Sequence, residues 1–165
     1  MAAQRFYFEG IYEETHWTAL YENAQGYAER FLEFCKEFIE RSRFPNIDVE
    51  IAEFVTGGLF FNKEVTPMVA MRPRQPQLRN VGAFFRAQQF GNVVSYSCLE
   101  TIDNGLFTSG LSGEALYSTI RAKCKNMAQW EEFMTIDNLA NLIFHKAVER
   151  FDPAYRENKL LMAKR

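Results

Sequence analysis

Between Trp17 and Arg41 apolar side chains recur at spacings of four and three: Leu20, Ala24, Tyr27, Phe31, Phe34 and Phe38, with Trp17 before them. That period marks one face of an amphipathic helix. Tyr21, Ala28, Cys35 and Ile39 widen the stripe, while Glu22, Glu29, Glu33, Lys36, Glu37 and Glu40 lie mostly on the other side. The stripe is too wide and too short in heptads for a coiled-coil seam, so it calls for a sheet to pack against. Thr15 offers an N-cap hydroxyl. Pro45 closes the helix, because proline disfavours helical geometry in the residue before it.

The rest of the first hundred residues changes period. Arg5 to Tyr12 is short, aromatic and β-prone. Ile47-Asp48-Val49-Glu50-Ile51 alternates strictly, as a half-buried strand does, with Asp48 and Glu50 towards solvent. Leu59-Phe60-Phe61 and Val65 to Met71 follow, and Pro67 inside the second run predicts an edge or bulged strand. Arg72-Pro73-Arg74-Gln75-Pro76 reads as a loop. Its bare PxxP is too unspecific to mark a polyproline ligand. Asn80 to Phe90 and Val93 to Thr101 flank Gly91-Asn92, which suits a type II′ hairpin turn. Asp103-Asn104-Gly105 closes that hairpin.

The last third reads as helical. Ser112 is placed to cap a helix carrying Leu116, Ile120, Cys124 and Met127, with Glu114 complementing the dipole. Trp130, Phe133 and Met134 suggest a short continuation. Thr135 would cap a further helix lined by Ile136, Leu139, Ile143, Ala147 and Phe151, ending near Pro153. Tyr155 to Arg165 is a charged tail, with Lys159 to Met162 as a strand or helical turn. The fold class expected is α+β: one domain over residues 1–165, with an antiparallel sheet of about five to six strands packed on a long N-terminal helix and C-terminal helices.

Composition narrows the classes. A chain that is 47% hydrophobic with a net charge of −2 buries a core rather than staying disordered. No apolar run approaches a membrane span, and Glu9, Glu13 and Glu14 interrupt the place of a signal peptide's apolar region. A cytoplasmic protein without membrane contact is expected. Cys35, Cys98 and Cys124 are odd in number, form no CxxC pair and sit in apolar context, so buried thiols are expected and no metal site or cofactor. The lysines flanking Cys124 would leave a helix in different directions.

Catalytic signatures are incomplete. His16 and His145 are the two histidines, and His145 with Glu149 has the spacing of an ordinary helix surface pair. Gly105, Gly110 and Gly113 precede a helix but lack the lysine of a phosphate loop. Gly110-Leu111-Ser112-Gly113 is one residue short of a nucleophile elbow. Glu13-Glu14 and Glu131-Glu132 are adjacent carboxylates that would point apart on a helix.

Charge is unevenly spread: −6 over residues 1–60, +3 over 61–100 and +1 over 101–165. The positive segment gathers Lys63, Arg72, Arg74, Arg79 and Arg86, with Phe84, Phe85 and Phe90 nearby. Such a cluster can bind an anionic ligand or single-stranded nucleic acid, or can solubilise a sheet edge. The function expected is a non-catalytic binding or assembly module rather than an enzyme, self-associating as a homodimer through an uncovered edge or helix face. The alternatives are an anion or nucleic-acid binder using residues 63–90, and a small-molecule enzyme or carrier with its pocket between the first helix and the sheet.

Overall fold

The computed structural model describes residues 4–6, 11–56, 64–74, 78, 81–102 and 114–156. They form an α+β domain. Strands β1 (Gln4–Phe6) and β2 (Ile11–Leu20) precede helix α1 (Tyr27–Ser42). Strands β3 (Ile47–Thr56), β4 (Glu64–Pro73), β5 (Val81–Phe90) and β6 (Val93–Ile102) follow, then helices α2 (Glu114–Lys123) and α3 (Met127–Phe151). The sheet order is β1-β3-β4-β5-β6-β2; β1 runs parallel to β3 and every other pairing is antiparallel. Among the described residues no helix is long and apolar enough to cross a membrane.

One face of the sheet is covered by α1 and α3. Val69 and Met71 of β4, Ala83, Phe85 and Ala87 of β5, and Val94, Tyr96 and Cys98 of β6 point to that side by strict alternation. They meet Phe31, Leu32, Cys35 and Ile39 of α1 and Ile136, Ala140, Ile143, Phe144 and Ala147 of α3. Phe31 is fully buried against Tyr96 and Phe144; removing its ring would cost about 3–5 kcal/mol. The reverse face buries a smaller set, Ala52, Met68, Ala70, Phe84 and Leu99.

The helix expected from Trp17 begins instead at Tyr27, after a left-handed Gly26 (φ 74°) that caps without a side chain. Residues 11–20 are a strand, paired with β6 from Thr15↔Cys98 to Leu20↔Val93. The segment satisfies both periods: Trp17, Leu20 and Ala24 fit a helix, while Thr15, Trp17 and Ala19 fit one strand face. The β6 ladder decides it, and leaves Leu20 78% exposed. Thr15 caps no helix; its hydroxyl donates to Asn141 Oδ1 at 3.3 Å.

Strand β4 is not an edge strand, being flanked by β3 and β5, but Pro67 lies just beyond the stretch paired with β5. Arg72 and Pro73 belong to β4 and not to the following loop. Gly91 takes positive φ (63°) and Asn92 does not, the pattern of the expected II′ turn. The two C-terminal helices expected around Thr135 are one helix of 25 residues. Its N-cap is Asn126, whose side chain accepts from Gln129 N–H at 3.0 Å, while Thr135 bonds back to Glu131 C=O and leaves the helix unbroken. Tyr155 of the expected tail is buried. Ser112, the Gly105–Gly113 motifs and the Lys159–Met162 turn lie outside the described residues, as do the side chains of Glu13 and Glu14.

Candidate functional site: a fork in the sheet beneath α1

The β3–β4 ladder is unbroken from Ile47↔Pro73 to Thr56↔Glu64, and β5–β6 from Val81↔Ile102 to Phe90↔Val93. Between them the β4–β5 ladder covers only Met68↔Arg86 to Met71↔Ala83. Proline supplies no N–H to a ladder, and the pairing stops one residue short of Pro67. Glu64–Pro67 and Ala87–Phe90 therefore diverge, and the first turns of α1 lie over the fork.

The result is a cleft of about 300 Å³. Its floor is apolar: Leu32 of α1 and Ala87 of β5 are 7% and 5% exposed. Val65 stands at its side, 44% exposed, and Phe90, 63% exposed, borders it from the reverse face of β5. Glu29, Thr66, Gln88 and Gln89 supply the polar groups. Gln88 Oε1 accepts from Arg86 Nη2 at 2.9 Å, and Gln89 Nε2 donates to Gly91 C=O at 3.0 Å.

Behind the floor lies a half-buried polar network. Tyr96, directly across the ladder from Ala87, shares a hydroxyl–hydroxyl hydrogen bond of 2.8 Å with Tyr21. Tyr21 stacks on Tyr27 at 4.2 Å. Trp17 Nε1 donates to Asp152 Oδ2 at 2.7 Å, and its ring meets Tyr155 edge-on. The Tyr155 hydroxyl is hydrogen-bonded to His145 Nδ1. Burial pushes the Tyr21, Tyr96 and Tyr155 phenols above their ordinary range. They remain protonated at neutral pH and serve as hydrogen-bonding fasteners joining β2, β6 and the end of α3, not as bases. His16, expected on a helix, is exposed on β2.

A second buried group went unnoticed in the sequence. Glu100 is 2% exposed on the helix side of β6 and accepts from Asn141 Nδ2 at 3.4 Å. The available signal was its phase: residues 94, 96 and 98 point inward, and 100 follows them. On α3, Glu132 Oε1 and Asp137 Oδ1 are buried without a hydrogen-bond partner among the described residues, and burial raises the Glu132 carboxyl above its usual range. Among the described residues no group of three or more His, Cys, Asp or Glu is placed to hold a metal ion.

The basic segment is dispersed. Arg72 pairs with Glu50 and Arg74 with Asp48, so the two carboxylates expected to face only solvent meet the arginines across the β3–β4 ladder. Arg72 also lays its stem on Gly82, where an added Cβ would sit 3.0 Å from Arg72 Cγ. Arg86 shares the reverse face with Phe84, as alternation requires, but Phe84 is only 3% exposed and Phe85 is fully buried on the other side. Lys63 and Arg79 lie outside the described residues. His145 and Glu149 are not joined as expected: the histidine bonds Tyr155, and Glu149 stands 4.0 Å from Lys146.

No protein-family model matches the chain, and no curated protein does. Among solved structures it is similar to the di-domain aromatase/cyclase StfQ from the steffimycin biosynthetic pathway, at 15% identity and a TM-score of 0.26, covering 83% of this chain and 51% of that one. It is also similar to the Zhui aromatase/cyclase from Streptomyces sp. R1128, at 12% identity and a TM-score of 0.26, covering 86% and 97%. The chain spans about half the length of StfQ.

Proposed function

We propose that this domain binds a small molecule in the cleft between α1 and the diverging ends of β4 and β5. The observation that supports it is the interrupted β4–β5 ladder, which leaves an apolar floor open beside the exposed Val65. A volume of about 300 Å³ lies at the lower end of the range of small-molecule sites, about 300–1,000 Å³. Apolar walls with a few polar groups are the usual make-up of such sites. Among the described lining residues there is no histidine, cysteine or lysine, which favours binding or carriage over covalent chemistry.

The test is titration with an uncharged, environment-sensitive fluorophore. Ala28 is half-buried on α1 and lines the cleft, so Ala28→Trp should fill it. Binding should weaken at least about tenfold while the circular dichroism spectrum stays unchanged. Equal binding by both proteins, or none by the wild type, would overturn the reading.

A further inference from the structure

Resting on that reading, we infer that the ligand of the cleft is a cationic amphiphile: an ammonium group carried on a small aromatic or branched aliphatic body. Two observations converge. First, Glu29 is the charged group of the described lining, and among the described residues nothing bonds its carboxylate. Further along α1, Glu37 and Glu40 are paired with Arg41 and Lys36. The neighbouring Arg30 is engaged elsewhere, its guanidinium 4.4 Å from the centre of the Tyr27 ring and its Nε donating to Gly26 C=O at 3.2 Å. Second, Gln89 gives its NH₂ to Gly91 C=O, so its amide oxygen is left as an acceptor on the same helix-facing side as Ala87. A carboxylate and an amide oxygen together suit an ammonium, which has three donors and no acceptor. The apolar floor of Leu32 and Ala87, with Val65 beside it, suits the body of such a ligand. Arg86 stands on the reverse face of β5 and donates to Gln88.

The experiment uses three ligands with one phenyl body: 2-phenylethylamine, 2-phenylethanol and 3-phenylpropionate, titrated by calorimetry into the full chain. Glu29 is exposed, so its pairing energy is that of a surface ion pair. The amine should bind about two- to fivefold tighter than the alcohol, a factor an exposed pair can supply, and the carboxylate weakest. Glu29→Gln should bring amine and alcohol affinities together, and ~1 M salt should do the same by screening. An amine that binds no better than the alcohol, or a preference that survives Glu29→Gln, overturns the ligand class while leaving the cleft as a small-molecule site. Failure of all three ligands together with the uncharged fluorophore overturns both.

Discussion

The Tyr21–Tyr96 pair shows how a single buried group sets a condition on the whole fold. Tyr96 is fully buried and its phenol is held well above the ordinary value of 10.0, chiefly by loss of water and then by the bond to Tyr21. In the unfolded chain both phenols ionise near their ordinary value; in the fold they resist ionisation. A group that binds its proton more tightly when folded contributes stability that is lost as pH rises through and above the unfolded value. The melting temperature should be level from pH 7 to about 9 and fall above about pH 10. Tyr96→Phe should lower stability by about 1 kcal/mol, a shift of a few degrees for a chain of this size, and make the alkaline fall shallower. A thermal series that stays level to pH 11 would contradict this. The thiols follow the same physics. Cys35 and Cys98 are buried, and burial raises the Cys35 thiol well above the ordinary range and the Cys124 thiol less strongly. A disulfide reagent at pH 8 should modify at most Cys124, and slowly, in the native protein. All three should react in denaturant; mass spectrometry counts them.

At the scale of elements, the cleft is made by one proline. The β4–β5 ladder stops where Pro67 withdraws an N–H, and α1 covers the gap left behind. Pro67→Val restores a donor and a β-branched side chain, so pairing should extend from Met68↔Arg86 towards Ala87. Amide exchange at residues 64–67 should slow, the melting temperature should hold or rise, and the uncharged fluorophore should bind several-fold more weakly. Unchanged binding with slowed exchange would show that the cleft does not depend on the fork. The hairpin at Gly91-Asn92 and the stripe from Tyr27 to Ile39 were legible in the sequence, because local turn chemistry and an uninterrupted period specify them. Residues 15–24 were not, because Trp17 satisfies two periods and only the pairing with β6 chooses between them. Thr135 misled in another way: a threonine hydroxyl serves a helix start or its own i−4 carbonyl equally well. Pro67 was legible as a break in pairing but not as an interior one, since which strand flanks it depends on sheet order. The Glu29–Gln89 juxtaposition depends on the same long-range placement.

At the scale of the whole molecule, charge that is segregated along the chain is partly mixed in space. The balance of −6 in residues 1–60 and +3 in residues 61–100 suggests an electropositive region, yet β3 lies beside β4 and brings Asp48 and Glu50 to Arg74 and Arg72. The Arg74–Asp48 pair is exposed, with 62% and 64% of the side chains accessible, and the Arg72–Glu50 pair is about half as accessible. Exposed pairs contribute about 0–1 kcal/mol, so Arg74 is only loosely held and a polyanion could compete for it, while Arg72 is held more firmly. The proposal that Arg72 and Arg74 serve an anion-binding surface therefore makes a directional prediction. Asp48→Asn with Glu50→Gln should tighten binding of a labelled single-stranded oligonucleotide at ~50 mM salt. It should also steepen the log–log salt dependence by about 0.7 for each phosphate newly neutralised. Fluorescence anisotropy across a salt series measures both. Should the double variant bind no better than the wild type and lose stability, the arginines act as cross-strand fasteners of β3 to β4. The ion pairs would then reinforce the unbroken β3–β4 ladder while β4 and β5 part at Pro67.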